Sequence, residues 1–424
     1  MLSEPPVFLD KDKALACVHC GLCLGACPTY LETGDENNSP RGRIYLMRAV
    51  QDGRMDPVDA REHLDLCLGC RACEPACPSG VEYGSMLEAT RDHIERTVPR
   101  SPFQTLLRRI LIEKIFPYPE RMEIALAPAK WIKASGLDRW LPRFFRESLS
   151  LLPEEIESAD LPRFSPALGE RKGVVGFISG CVMSVMFGRT HRNSVRLLNA
   201  AGYDVVTPEE QVCCGALYAH GGNLAAAREV ARRNIQVFAE EDLDAVVINA
   251  AGCGATLKEY GHLLHGDAEE ERAGNEFSRR IRDLSEFLVG VGFVEKLKRD
   301  AQAGEKTVTF HDACHLAHPQ GIKSEPRELV RAIAGDRYVE LPEADVCCGS
   351  AGSYNLTEPE MAARLRDRKM GNIRSTSARL VVTTNPGCLL QIQAGLDEQE
   401  GGSRVTALHV ADYLAGALGL DERG

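Results

Sequence analysis

The chain has 424 residues, of which 16 are cysteine, and its 61 acidic side chains outnumber 50 basic ones for a formal net charge of -11. A chain of this length forms two or three domains whose cores need no disulfide support. The acidic balance argues against a nucleic-acid groove as the main surface. Its apolar stretches are too short to span a bilayer, so we expect membrane contact to be peripheral at most.

The N-terminal sequence shows no basic segment followed by an apolar one, so we expect no signal peptide. This favours a cytoplasmic protein, at most peripheral at the inner face of the cytoplasmic membrane. In a reducing compartment the many thiols are better explained as metal ligands than as disulfides.

Two copies of one cysteine pattern, C-x2-C-x2-C-x3-C-P, occupy the first eighty residues. In this ferredoxin run three thiolates hold one [4Fe-4S] cube and the fourth reaches the other cube. Zinc ribbons do not need the third Cys of each run, and disulfide frameworks suit small secreted chains better. The spacing therefore predicts cluster 1 on Cys17, Cys20, Cys23 and Cys77, and cluster 2 on Cys67, Cys70, Cys73 and Cys27.

A helix is predicted between the two runs, with Ser39 as N-cap and Pro40 at its first position. The pattern assigns it an apolar face of Ile44, Met47 and Val50, with three arginines on or near the outside: Arg41, Arg43 and Arg48. These arginines could offset the charge of the clusters, meet a partner, or form a solvated face.

Residues 85–170 contain no cysteine, and the segments 85–96, 105–115 and 121–133 have helical periodicity. We interpret them as a helical connector that wraps the N-terminal part and carries no chemistry of its own.

The chain repeats itself from Lys172 onward, with a period of roughly 134 residues. Each copy opens with a short β-branched run that ends at a cysteine, continues to a Cys-Cys-Gly motif, and has a second apolar run before its last cysteine. The cysteines are Cys181, Cys213, Cys214 and Cys253 in the first copy, and Cys314, Cys347, Cys348 and Cys388 in the second.

Open α/β sheets bind ligands at the carboxyl ends of their strands, so each copy should deliver four thiols toward one crevice. The first cysteine and the Cys-Cys pair are 32 residues apart in one copy and 33 in the other. Inert core cysteines are the alternative explanation, but scattered buried cysteines would not keep this register.

The Cys-Cys-Gly motifs resemble the duplicated cysteine-rich domain of heterodisulfide reductases, which binds non-cubane iron-sulfur clusters. Here the C-x-x-C ending is missing twice, because Thr256 and Gln391 stand where the fifth thiol would be. Four thiolates could still hold a [4Fe-4S] cluster or zinc, or one copy could be empty. Three histidines could substitute as ligands or be hydrogen-bonded core residues: His311, His315 and His318.

The whole chain resembles the iron-sulfur subunit of glycolate oxidase. The stretches that carry the resemblance include Ser39-Pro-Arg-Gly-Arg-Ile-Tyr-Leu46, Lys258-Glu-Tyr-Gly261 and Cys347-Cys-Gly-Ser-Ala-Gly-Ser-Tyr354. The resemblance implies a complex in which FAD on a partner subunit oxidises glycolate and the electrons leave through iron-sulfur clusters toward a quinone. The chain itself shows no dinucleotide or P-loop motif and no obvious acid-base pair, so we expect no catalytic residue in it.

The expected fold class is α+β and α/β multidomain. The domains are a helical, ferredoxin-like two-cluster domain over 1–96, the connector over 97–171, and cysteine-rich α/β domains over 172–300 and 301–424. The alternative functions are an iron-sulfur subunit of an anaerobic glycerol-3-phosphate or lactate dehydrogenase, a thiol-disulfide reductase, and a zinc-bearing docking scaffold.

Overall fold

The computed structural model describes residues 7–135, 152, 156–397 and 405–421. The cysteine loops of the N-terminal part lie between helices. The α-helices are Lys11–Leu15, Pro28–Thr33, Pro40–Gln51, Pro57–Asp65 and Tyr83–Thr97, with 3-10 turns at Leu24–Ala26 and Glu36–Asn38. The predicted start of the third α-helix is confirmed, because the Ser39 hydroxyl accepts from the Gly42 amide at 3.0 Å and Pro40 is the first helical residue.

The connector consists of helices from Pro102 to Ser135, as predicted, whereas its described residues 156–171 contain the short strand Phe164–Ser165 and no helix. Its helices are the α-helices Pro102–Arg108 and Pro119–Ser135 and, between them, the π-helix Arg109–Ile115. Arg108 pairs with Glu95 of the N-terminal part at 3.2 Å and donates to the Gly221 carbonyl of the first repeat at 2.9 Å. The connector therefore touches the first repeat as well as the N-terminal part that it was expected to wrap. Residues 136–151 and 153–155 of this segment lie outside the described ranges.

The first repeat contains a five-stranded sheet of order β1-β3-β2-β4-β5. Its strands are β1 (Phe164–Ser165), β2 (Gly173–Ile178), β3 (Tyr203–Val206), β4 (Ala245–Ile248) and β5 (Ile281–Asp283). Only β1 runs antiparallel. The inner strand β4, which pairs with β2 and β5, is fully buried, which fits its unbroken apolar sequence, because both faces of a parallel sheet are covered.

The second repeat contains the parallel sheet β6 (Val308–His311), β7 (Leu380–Thr383) and β8 (Thr406–His409). A single parallel bridge from Val308 to Tyr338 takes the place that β3 has in the first repeat. The two repeats therefore share one strand order, as their sequences predicted.

Helices cover the sheets of both repeats. In the first repeat they are Val182–Met186, Gly188–Ala200, Ala216–His220, Leu224–Ala239, Ala251–Leu257, Tyr260–Leu263, Ala268–Arg280, Leu284–Gly290 and Phe293–Asp300. In the second they are Cys314–Ala317, Ser324–Ala334, Tyr354–Thr357, Pro359–Ser375, Pro386–Asp397 and Val410–Ala417, with a 3-10 turn at Gly335–Arg337.

The two repeats share their cores. One buried cluster contains Phe177 and Leu197 of the first repeat together with Phe310 and Leu414 of the second. At its edge the Asp412 carboxylate accepts from the Thr190 hydroxyl and the Asn193 amide at 2.7 and 2.8 Å. Because the apolar faces cover each other, the repeats form one body with the cysteine loops at the ends of its strands.

Candidate metal centres

All sixteen cysteines lie in the described ranges, and none forms a disulfide. Eleven of them are buried, Cys20 is exposed, and four are half-buried: Cys17, Cys23, Cys77 and Cys253. Several thiolates packed together repel one another, so such groups are stable in the charged form only beside a cation. The sets described below fit metal centres on this ground.

Cys27 of the first motif lies beside the second motif. Burial raises the pKa of the Cys73 thiol well above its ordinary value, and the neighbouring Cys70, Cys67 and Cys27 thiols add to the rise. Burial also raises the pKa of Cys70, to which Cys27 and Cys67 contribute. The structure thus brings together the four thiols that the spacing assigned to cluster 2.

Arg43 was expected on or near the outside of its helix, and this was wrong. It is 1% exposed and reaches Cys27, with Nη1 3.8 Å from the Sγ atom. Its Nη2 donates to Thr29 Oγ1 at 3.0 Å and its Nε to the His63 carbonyl at 2.7 Å. Burial alone would lower the pKa of Arg43, but the neighbouring Cys67 and Cys27 sulfurs raise it, so a fixed cation lies beside this thiol group.

The Pro-Arg-Gly-Arg stretch, residues 40–43, holds Arg43 in its buried position. A Cβ atom at Gly42 would overlap the backbone carbonyl of Glu36, so the helix can approach the preceding turn only with glycine there. Arg41 pairs with Glu36 at 2.6 Å and donates to the His19 carbonyl in the first cysteine loop at 3.1 Å. The stretch therefore holds the first loop and the buried arginine in one arrangement.

The other N-terminal thiols lie nearer the surface. Burial raises the pKa of Cys23, and Cys17 and Cys27 contribute to the rise. Cys17, Cys23 and Cys77 pack at the edge of one apolar core, whereas Cys20 is exposed. Three large apolar side chains around this loop are also exposed: Val18 at 68%, Leu22 at 63% and Tyr45 at 54%.

The thiols of the first repeat lie together. The Sγ atoms of Cys181 and Cys213 are 3.5 Å apart. Hydrogen bonds to the Cys213 and Cys253 thiols raise the pKa of Cys214 well above its ordinary value, and burial adds to this. The first repeat therefore brings its four thiols together, as the sequence predicted for one crevice per repeat.

The Lys-Glu-Tyr-Gly stretch supports this group. The Tyr260 hydroxyl donates to the Cys214 carbonyl at 2.9 Å, and Asn234 donates both to the Tyr260 hydroxyl and to the Cys213 carbonyl, each at 3.1 Å. Glu259 pairs with Arg71 of the second ferredoxin loop at 2.5 Å. Sequence reasoning found this stretch only through a resemblance, and the structure gives its physical role.

The thiols of the second repeat are also together. Hydrogen bonds from the Cys347 and Cys388 thiols lower the pKa of Cys348 well below its ordinary value. Hydrogen bonding to Cys348 and burial raise the pKa of Cys388, and Cys314 contributes. A ring nitrogen of His311 and the sulfurs of Cys348 and Cys388 all lie within 4.8 Å of one another.

The three histidines near Cys314 separate into two kinds. His315 Nε2 bonds the Gly69 carbonyl at 3.0 Å, and His318 Nε2 bonds the Asp345 carbonyl at 3.1 Å. These two are hydrogen-bonded structural residues. His311 alone of the three lies among the thiols.

The four thiol groups are neighbours. Cys70, Cys314 and Cys347 belong to one buried cluster, in which the Tyr354 hydroxyl donates to the Leu66 carbonyl at 2.9 Å. The groups of the two repeats are linked through Asn385, whose side chain donates to Cys388 Sγ at 3.6 Å and accepts from the amide of Gly252, beside Cys253, at 3.1 Å. The thiol groups therefore follow one another from the first cysteine motif to the second, then to the second repeat and to the first repeat.

Comparison with known protein families gives two matches. A 4Fe-4S dicluster domain matches residues 13–81, and a cysteine-rich domain matches residues 175–258 and 308–393. Both matches cover the segments that carry the thiol groups.

Two relatives match over most of their length. The probable glycolate oxidase iron-sulfur subunit of Bacillus subtilis (strain 168) is 42% identical over 97% of this chain and 95% of its own. The glycolate oxidase iron-sulfur subunit of Escherichia coli (strain K12) is 36% identical over 90% of each chain. The crystal structure of a hypothetical protein from Helicobacter pylori has a TM-score of 0.54 over 97% of this chain and 73% of that one, at 9% identity, which shows a shared fold alone.

Among the described residues, every helix is too short or too polar to cross a membrane.

Proposed function

Because the chain belongs to the glycolate oxidase iron-sulfur subunit family, we propose that it is the electron-transfer subunit of a flavin-dependent glycolate-oxidising complex. FAD on a partner subunit would take the electrons from glycolate, and a quinone-type acceptor would receive them after passage through this chain. The observation that carries the proposal is the unbroken series of four neighbouring thiol groups.

We propose the crossed ligand sets for the N-terminal part. Cluster 1 is assigned to Cys17, Cys20, Cys23 and Cys77, and cluster 2 to Cys67, Cys70, Cys73 and Cys27. The closeness of Cys27 to the thiols of the second motif supports this assignment. The repeats would hold one or two further iron-sulfur clusters or zinc.

When bound, [4Fe-4S] clusters supply one-electron carriers at potentials that the protein tunes. The chain's own residues fix them and set their surroundings. The positive charge of Arg43 beside Cys27 favours added negative charge there. Leu68 and Ala72, packed around Cys70 and Cys314, keep water out of the passage between the two domains.

The exposed loop around Cys20 is the proposed contact with a redox partner. Its thiol reaches the surface, and the apolar side chains of Val18, Leu22 and Tyr45 are available to a partner. The chain would work in the cytoplasm, and any membrane contact would be peripheral.

Anaerobic purification of the full chain with its copurifying partners tests the proposal, with iron, sulfide, zinc and flavin measured together. We expect iron and sulfide for at least two cubes per chain and flavin on the partner that glycolate bleaches. Cys70→Ala should abolish electron delivery from glycolate to an artificial acceptor placed downstream.

Val58→Ala is the matched control, because it changes an exposed side chain between the two cysteine motifs without removing a thiol or altering the proposed partner contact. It should keep the full metal content. A Cys70→Ala variant with full iron and full electron delivery would overturn the proposal.

A further inference from the structure

The two repeats differ at one position that their strand registers make equivalent. In the first repeat Ile178 ends β2 and pairs with Ile248 of β4, and in the second His311 ends β6 and pairs with Thr383 of β7. Each residue stands three positions before the first cysteine of its repeat. One repeat therefore has an apolar side chain where the other has an imidazole.

His311 is fully buried, and among the described residues its ring nitrogens bond no oxygen or nitrogen atom; the ring's polar contact is with the Cys348 thiol, whose pKa this contact helps to lower. Leaving a buried polar group unpaired costs about 1–3 kcal/mol, so a residue of this kind needs an explanation. The adjacent carboxylate does not supply one, because Asp312 is held by both Nη atoms of Arg327 at 2.7 and 2.8 Å. The polar atoms that surround the ring are the sulfurs of Cys348 and Cys388.

A buried imidazole that faces two thiols is a donor set for a metal. Zinc and iron both accept mixed sulfur and nitrogen ligands in proteins. The other two histidines of this segment show the contrast, because His315 and His318 each bond a backbone carbonyl.

We propose that His311 is a ligand of the metal centre in the second repeat, together with Cys348 and Cys388. The two repeats then hold chemically different centres, one with thiolates alone and one with a nitrogen donor. This inference rests on the proposed function, which assigns metal centres to the repeats. If the centre is an iron-sulfur cluster in which His311 takes the ligand position of one thiolate, the neutral imidazole raises its potential above that of a cluster with thiolates alone, and the second repeat would be the better electron acceptor of the two.

The test uses the full chain, purified anaerobically after growth with ¹⁵N-histidine and, separately, at natural isotope abundance. Pulsed EPR should detect a histidine nitrogen coupled to one paramagnetic centre, and the coupling should change with the isotope. If the second repeat holds zinc, X-ray absorption at the zinc edge should show imidazole scattering instead.

Three variants make the test specific. His311→Ile copies the first repeat, so it should lose the nitrogen signal and leave a centre held by thiolates alone, as proposed for the first repeat. His311→Cys should keep the metal and lose the nitrogen signal, which separates loss of a ligand from loss of folding. His318→Gln is the control, because it changes a histidine bonded to a backbone carbonyl, and both signals should stay.

A full complement of metal with neither nitrogen coupling nor imidazole scattering in the unaltered protein would overturn this inference and leave the proposed function standing. Unchanged nitrogen signals in His311→Cys would also overturn it. If the proposed function itself were wrong, the result would differ, because the purified chain would then contain neither iron nor sulfide.

Discussion

Cys70 and Cys314 belong to different domains but lie in one buried cluster, and the Cys314 thiol adds to the rise in pKa that burial produces at Cys70. The N-terminal part and the second repeat therefore meet at their candidate metal ligands and not at a distant surface. Tyr354, which follows the second Cys-Cys-Gly motif, fixes this contact through the Leu66 carbonyl. An electron that reaches cluster 2 would have the thiols of the second repeat beside it.

We expect Cys27→Ala to remove cluster 2, although Cys27 lies in the first cysteine motif. Its thiol is placed beside Cys67, Cys70 and Cys73, so its loss should leave that cluster short of one ligand. The EPR spectrum of the reduced Cys27→Ala variant should match that of Cys70→Ala.

The reciprocal pair is the control for this prediction. Cys77→Ala should give the spectrum of Cys20→Ala, in which the exposed cluster 1 is lost. If Cys27→Ala instead resembles Cys20→Ala, the crossed assignment is wrong.

Arg43→Met should lower the midpoint potential of cluster 2. Reduction adds negative charge, and the buried guanidinium beside Cys27 stabilises that charge. A unit charge at roughly 7 Å and an effective dielectric constant of about 20 contributes about 2 kcal/mol, which is on the order of 100 mV for one electron. A redox titration followed by EPR measures the change.

Two further variants test whether charge causes this shift. Arg43→Lys keeps the positive charge and should recover most of the potential. Arg48→Met removes an arginine from the same helix at a half-buried position and should leave the potential close to that of the unaltered protein. An unchanged potential in Arg43→Met would contradict the prediction.

Local sequence patterns were sufficient to predict the thiol groups and many of the positions at which helices and strands begin or end. Ser39 and Pro40 identify a helix start because capping depends on neighbouring residues alone. The cysteine spacings and the duplication predict all four groups from the sequence alone. The same strand order in both repeats follows from the same order of apolar runs.

Local sequence patterns do not show which charged or histidine side chains lie in the interior, or what they contact there. A helical pattern predicts arginine on the solvent-facing side of the helix. Only the packing of distant segments shows that Arg43 faces thiols, which keep its guanidinium protonated. All three histidines lie close to Cys314 in the sequence, so the sequence does not distinguish them. In the structure, however, two of them are hydrogen-bonded to backbone carbonyls of other segments. Both distinctions depend on contacts between segments far apart in the chain.

Gly42→Ala should destabilise the N-terminal part and reduce its iron content. The added methyl group would overlap the Glu36 carbonyl, and backbone cannot move aside as a flexible side chain can. We expect a loss of about 1–3 kcal/mol, the usual cost of overpacking. Thermal unfolding under anaerobic conditions and iron analysis measure the two effects.

Gly25→Ala is the matched control, because a Cβ atom at this position in the first cysteine loop would meet nothing within 4 Å. This variant should keep both its stability and its iron. If Gly42→Ala and Gly25→Ala had the same stability and iron content, the close approach of Gly42 to the Glu36 carbonyl would not be needed for either property.

Asp283→Asn should change how stability depends on pH. Burial raises the pKa of Asp283 from 3.8 to about 6, so the folded protein favours the protonated form and ionisation costs stability. The cost is absent below about pH 4 and grows as the pH rises through about 6, to at most about 3 kcal/mol at 1.36 kcal/mol per pKa unit.

Asparagine keeps the N-cap bond that Asp283 accepts from the Ser285 amide at 2.8 Å, but it carries no charge. The variant should therefore equal the unaltered protein at pH 4 and unfold at a higher temperature at pH 7. Asn223→Ala is the control, because it removes an N-cap side chain that carries no charge and accepts from the Ala226 amide at 3.1 Å, and its difference from the unaltered protein should stay constant across this range. A constant difference for Asp283→Asn as well would show that its carboxyl does not change protonation between these two pH values.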